Sequence, residues 1–160
     1  MFRLLWESVY PPKVSVLMVV VDGQPTDSGL VYTTMNRVAQ WYYQQAHVIL
    51  RFEVREATGL APGPELRQDF NGGNYPVPTI FVFPIRDLIN GALGDAYGEF
   101  MVVGRDGMAK PTVYRHELGH WFGLGHLEGT FMSGGAAAED APAMPDQVAA
   151  IRLRGRLYSS

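Results

Sequence analysis

The sequence contains no cysteine, which excludes disulfide frameworks, zinc sites built from thiolates and cysteine nucleophiles. It also carries little charge: 18% of its 160 residues are Asp, Glu, Lys or Arg, and the formal net charge is −3. A surface that binds nucleic-acid phosphates needs an excess of basic residues, so we expect no nucleic-acid partner. With only four histidines, any metal site must be built from this small set together with Asp and Glu.

Long apolar runs are also missing. The longest, residues 14–21, contains a serine and ends at Asp22, far short of the ~20 residues of a membrane-spanning helix, so we expect no span. The first seven residues have neither a long apolar stretch nor a small-residue cleavage site, so we expect no signal peptide in this chain. The compartment stays open; it is extracellular if the chain is a mature form whose leader has been removed.

The residues that are present suffice for one globular domain. The apolar fraction is 47%, enough for a hydrophobic core, and the length fits one domain over residues 1–160. We expect a monomer.

Hydrophobic patterning predicts an α+β fold. Apolar, β-rich segments predict five strands at residues 14–21, 48–56, 79–85, 93–97 and 100–103. A helix that begins near Thr26–Ser28 and runs to about Gln45 is indicated by apolar residues at spacings of three and four, namely Val31, Met35, Val38, Tyr42 and Ala46. Further helices are predicted at residues 110–123 and 145–155, and an ordered surface loop at residues 59–78. This order favours a twisted mixed sheet of about five strands with helices on one side.

One short stretch carries the chemistry, beginning with His116, Glu117 and His120. On a helix, the two histidines stand four residues apart, so both imidazoles lie on the same face. They can therefore both bind one zinc ion at about 2.0–2.1 Å. Glu117 is the next residue around the helix; it can reach a water molecule on the metal, which is the position of a general base.

A third ligand follows after a turn. Gly123 can end the helix in a left-handed conformation, and the chain can then return so that His126 faces the metal. Three neutral imidazoles leave one zinc position open for water or substrate, which is typical of a catalytic site. We therefore expect one catalytic zinc ion.

The spacing His116-Glu117-x-x-His120-x-x-Gly123-x-x-His126 resembles the extended zinc signature of the metzincin metallopeptidases. Met132, within Phe131-Met132-Ser133-Gly134, is similar to the methionine of the Met-turn that underlies the zinc site in that clan. The last predicted helix resembles the C-terminal helix of matrixin-like domains. The resemblance implies an upper subdomain to about residue 123, with a sheet, a backing helix and an active-site helix. A small irregular lower subdomain, residues 124–160, would hold the Met-turn and the last helix.

The subfamily stays open, because Leu127 follows the third histidine. At that place astacins usually carry Glu, adamalysins Asp, serralysins Pro and matrixins Ser. The proportions of the chain are nearest to those of matrixins.

The resemblance implies a zinc-dependent endopeptidase that hydrolyses peptide bonds in extended polypeptides, with a zinc-bound water and Glu117 as the general base. A protein or peptide substrate would pair with an edge strand, for which the candidate residues are Gly94, Asp95, Ala96 and Tyr97. Gly134 and Gly135 would border the pocket for the side chain that follows the cleaved bond. An ordinary solvent-facing hairpin and a surface loop explain these same residues equally well.

Two other functions stay open: a catalytically silent zinc-binding interaction module, and a hydrolase of a dedicated non-protein amide. Glu117 argues against the module, because metal binding alone does not require a base. Residues 69–74 contain the oxygen ligands and glycines of a calcium loop, but turn chemistry explains them as well, and the sequence favours a turn.

Overall fold

The computed structural model describes residues 10–135 and 138–159. This part of the chain contains five strands: β1 (Lys13–Val21), β2 (Ile49–Ala57), β3 (Thr79–Val82), β4 (Gly94–Ala96) and β5 (Phe100–Val103). It also contains four α-helices: α1 (Pro25–Ala46), α2 (Leu66–Asp69), α3 (Pro111–Trp121) and α4 (Pro145–Leu157). The predicted combination of a five-stranded sheet with helices is confirmed.

The strands form one mixed sheet in the order β2-β1-β3-β5-β4. All neighbouring pairs are parallel except β4 and β5, which are antiparallel, with Asp95 opposite Val102. The short strand β4 therefore forms one edge of the sheet. The third strand was predicted to reach residue 85 but ends at Val82; Pro84 has no N–H to continue the ladder.

Both faces of β1 are largely buried, which explains why this strand is apolar at successive positions. Val16 and Met18 lie in a core cluster with residues of α1 and α3, whereas Leu17 and Val19 belong to a second cluster on the opposite face. That second face is covered by the segment predicted as a surface loop at residues 59–78. This prediction was incomplete, because the segment contains α2 and its Leu66 is fully buried.

Helix α1 begins one residue before the predicted start. Its N-cap is Gln24, whose backbone N–H donates to the Asp27 carboxylate at 2.8 Å, and Pro25 occupies the first helical position. Asp27 therefore stabilises the helix start from the third position and not as the cap itself. The five residues of the predicted apolar stripe are all buried.

The helix that carries the histidines is fixed against this scaffold. Helix α3 packs on α1, and the buried Tyr42 hydroxyl donates to the carbonyl of Arg115 at 2.7 Å. Helix α4 follows as predicted, ends two residues later than expected, and packs against α1, with Ile151 buried in the shared core. The division into an upper part to residue 123 and a lower part from residue 124 stays a prediction. None of the helices in the described ranges has the length and apolar character needed to cross a bilayer.

Candidate metal centre

Three of the four histidines converge. His116 and His120 lie on α3 with ring centroids 4.9 Å apart, and His126 follows in the loop after the helix. The His126 ring lies 5.1 Å from that of His116 and 5.0 Å from that of His120. One ring nitrogen from each residue can be chosen so that all three lie within 4.8 Å of one another. The structure thus brings together the three residues that the sequence spacing singled out.

The return of the chain after α3 depends on Gly123. Its φ of 90° is a conformation that side chains with a Cβ rarely adopt. Two backbone hydrogen bonds close the turn. The Leu124 N–H donates to the Gly119 carbonyl at 3.0 Å, and the Gly123 N–H donates to the His120 carbonyl at 2.9 Å. The chain turns at Gly123, and His126, three residues later, lies near the two helical histidines.

Two backbone carbonyls orient the helical imidazoles. His116 Nδ1 lies 3.1 Å from the Phe131 carbonyl oxygen, and His120 Nδ1 lies 2.9 Å from that of Leu124. Since a carbonyl only accepts hydrogen bonds, each Nδ1 must carry the proton, and each Nε2 keeps its lone pair free for a metal. Burial also lowers the pKa of His116, which favours its neutral, ligating form. The three residues therefore fit a zinc ion.

Glu117 lies at the bottom of the cleft between α3 and β4 and is only 5% exposed. Burial, with a smaller contribution from the charge of Asp95, raises its pKa to about 8. Gly94 of β4 approaches it closely, because a Cβ placed there would lie 2.7 Å from Glu117 Oε2. A buried carboxyl group with a raised pKa that lines the same cavity as His116 is a candidate for proton exchange.

Met132 lies beneath the helix that carries the histidines. It is fully buried, and a Cβ on Gly119 would overlap its sulfur. Its backbone N–H donates to Thr130 Oγ1 at 3.1 Å, and the same hydroxyl accepts a hydrogen bond from Gln147 Nε2 at 3.0 Å. Sequence reasoning missed Thr130 and Gln147, because polar residues in a loop and on a helix give no signal that they meet in the core.

A cavity of about 440 Å³, here called the Glu117 cavity, opens beside this carboxyl group. Its polar and glycine lining comprises Gly94, Lys110, Thr112, His116, Glu117, Gly134 and Gly135. Of the predicted substrate-contacting residues, Gly94, Gly134 and Gly135 therefore line it. Asp95, Ala96 and Tyr97 lie further along the edge of the sheet, where Tyr97 stacks on Phe100. Lys110 and Thr112 were not predicted.

Glu128 is a further residue that sequence reasoning missed. Its carboxylate accepts the backbone N–H of Gly134 at 2.9 Å and so holds the chain after Met132 close to His126. A Cβ on Gly134 would lie 3.3 Å from His126 Nδ1. The glycine therefore permits the close approach of the cavity wall to the third imidazole.

The segment considered for calcium forms a tight turn. Asn71, Gly72 and Gly73 all have positive φ and form a short 3₁₀ helix. This is the turn geometry that asparagine and glycine accept readily.

The sequence matches no family model and no curated protein. The fold is similar to that of metalloproteinase-II from Bacteroides fragilis, with a TM-score of 0.64 and 12% sequence identity; the match covers 91% of this chain and 54% of that one. This chain thus spans about half the length of that protein. Archaemetzincin from Archaeoglobus fulgidus also matches, with a TM-score of 0.49 and 12% identity over 86% of this chain and 100% of its own. The chain is a mixed α/β protein whose fold is similar to that of metalloproteinase-II, and three of its histidines are placed so that they could hold a metal ion.

Proposed function

We propose that this protein is a zinc-dependent endopeptidase of the metzincin type, with one catalytic zinc ion. The observation that carries the proposal is the convergence of three imidazoles, two of them oriented by backbone carbonyls, beside the buried carboxyl group of Glu117. The spacing of the histidines and the position of Met132 beneath them support the metzincin assignment.

The three imidazoles would hold the metal in their neutral form. Zinc bound there supplies a Lewis acid that polarises the scissile carbonyl and lowers the pKa of water. His116 and His120 are kept in the ligating tautomer by Phe131 and Leu124. Fixed rings need no reorganisation during the reaction, which favours both affinity and rate.

Glu117 would move the protons. It would accept a proton from the attacking water and return it to the amine that leaves when the peptide bond breaks. Burial raises the pKa of this carboxyl group to about 8 in the metal-free protein, and the positive charge of a bound zinc ion would lower it so that the group can accept a proton near neutral pH. Gly94 leaves the space in which the carboxyl group can face the reacting peptide.

The free edge of β4 would bind the substrate. An extended peptide running antiparallel to β4 could pair with the backbone of Gly94–Ala96, as peptides add to sheet edges elsewhere. The Glu117 cavity would then receive the side chain that follows the cleaved bond, with Gly134 and Gly135 on its wall.

Hydrolysis of unfolded casein by protein loaded with one equivalent of zinc tests the proposal. We expect cuts at internal peptide bonds, identified by mass spectrometry, which cease when a chelator removes the metal and return when zinc is restored. Protein that holds one zinc ion but leaves casein intact would overturn general proteolysis. It would favour a silent zinc-binding module or a hydrolase of a dedicated amide.

A further inference from the structure

A second cavity opens next to His120. Its volume is about 320 Å³, and we call it the Arg154 cavity. The residues of its lining that matter here are Tyr75, Glu99, His120, Trp121, Arg154 and Tyr158. It shares no lining residue with the Glu117 cavity. The two cavities therefore lie against different parts of the histidine cluster.

Arg154, from helix α4, lines this cavity and lies against two aromatic rings that also contact each other, with their centroids 5.3 Å apart. Its guanidinium carbon lies 4.8 Å from the ring centroid of Trp121 and 4.8 Å from that of Tyr158. Cation–π contact with both rings restricts the guanidinium on that side, so a ligand in the cavity would have to approach it from elsewhere.

The guanidinium group is incompletely satisfied within the protein. The Nε atom of Arg154 is buried and has no hydrogen-bond partner, and no carboxylate in residues 10–135 and 138–159 forms an ion pair with the side chain. The buried Nε is not itself accessible to a ligand, but Arg154 lines the cavity, so a ligand there can meet the charge of its guanidinium group. A carboxylate is the acceptor that matches a guanidinium edge best.

Glu99 also lines the cavity and sets where such a ligand can lie. Its charge would repel a carboxylate placed beside it, so an acidic ligand must approach from the side of Arg154 and the two rings. The aliphatic part of an acidic side chain could contact Trp121 and Tyr158 there, whereas its carboxylate faces Arg154.

The direction of β4 assigns the cavity to one side of the scissile bond. Along the chain, β4 leads from Gly94, at the Glu117 cavity, towards Gly98, at the Arg154 cavity. A peptide paired antiparallel to β4 runs the opposite way, so its earlier residues pass the Arg154 cavity before the chain reaches Glu117.

We propose that the Arg154 cavity is a subsite for an acidic side chain, Glu or Asp, on the N-terminal side of the cleaved peptide bond. The carboxylate pairs with the guanidinium of Arg154. This inference rests on the proposed endopeptidase function and specifies its substrate class.

Cleavage-site profiling with a mixed peptide library, followed by matched peptides, tests the subsite. We expect enrichment of Glu or Asp at one position before the cut. Replacing that residue by Gln in a synthetic peptide should lower kcat/KM about tenfold or more, as for a lost charged hydrogen bond. In the Arg154→Gln variant the Glu and Gln peptides should be cleaved equally well. The control is Arg156→Gln, which makes the same charge change at an exposed residue outside both cavity linings and should keep the preference.

A binding measurement separates this subsite from the peptidase activity itself. NMR spectra of zinc-loaded Glu117→Ala protein would be recorded with acetylated, amidated tetrapeptides that contain either Glu or Gln at each position in turn. We expect the Glu peptides to shift the Arg154 Nε–H and Trp121 indole resonances more strongly than the Gln peptides do. Equal shifts, or cleavage without an acidic preference, would overturn the subsite. Absence of cleavage together with a selective Glu shift would overturn the peptidase function and support the carboxylate site.

Discussion

Replacing Glu117 by glutamine is expected to lower kcat/KM for peptide hydrolysis by ~10²–10⁴-fold, the usual contribution of a positioned general base. The amide has nearly the same shape but cannot accept the proton of water. The three histidines that could hold the metal are unchanged in this variant, so it should still bind one zinc ion. Zinc content by atomic absorption and the rate on one fluorogenic peptide would be measured on the same samples. Activity within tenfold of the original, at equal zinc content, would exclude Glu117 as the base.

In the metal-free protein, the same variant should also change how the free energy of unfolding depends on pH. Burial raises the pKa of Glu117 from 4.5 to about 8, so the folded state holds a proton that the unfolded state releases between these values. Its contribution to the free energy of unfolding is therefore fully present below about pH 4.5 and is lost as the pH rises towards 8. The loss amounts to at most ~1.4 kcal/mol per pH unit. We expect Glu117→Gln to gain stability relative to the original protein as the pH rises through this window in urea unfolding.

Gly119→Ala is expected to destabilise the protein by ~1–3 kcal/mol, as overpacking of a core does, and to weaken zinc binding. In a helix without such contacts, replacing glycine by alanine stabilises the protein by about 0.5–1 kcal/mol. The expected loss of stability therefore comes from the side chains around position 119. A Cβ at this position overlaps the sulfur of Met132 and lies 3.0 Å from the Phe131 ring. The Phe131 carbonyl orients His116, so a displaced segment would also move a ligand.

Gly29→Ala in helix α1 is the matched control. Nothing lies within 4 Å of a Cβ placed there, and Gly29 is exposed, so we expect stabilisation of about 0.5–1 kcal/mol and unchanged zinc affinity. Both variants would be compared by urea unfolding and zinc calorimetry. If Gly119→Ala stabilises the protein as Gly29→Ala does, the Met132 contact does not constrain the centre.

The metal centre could be predicted from the sequence because its geometry is local. Helical periodicity alone places His116 and His120 on one face, and a glycine three residues later permits the turn that returns His126. The strands and the buried stripe of α1 followed from periodicity in the same way.

The surroundings of the centre could not be predicted, because they depend on contacts between distant segments. Thr130 meets Gln147, and Trp121 meets Arg154, only once α4 has packed against α1 and β1. Residue types at these positions are ordinary for exposed loops and helices. The start of α1 was misplaced for a local reason: Asp27 accepts the backbone N–H of Gln24 three residues earlier, so Gln24 and not Asp27 is the N-cap.

X-ray absorption at the zinc edge, on protein loaded with one equivalent of zinc, tests most directly whether the three imidazoles form an open catalytic centre. We expect three imidazole nitrogens and one solvent oxygen, all at about 2.0–2.1 Å, and one imidazole fewer in His126→Ala. A spectrum with only two imidazoles, unchanged in His126→Ala, or one with four protein ligands, would contradict the proposed centre.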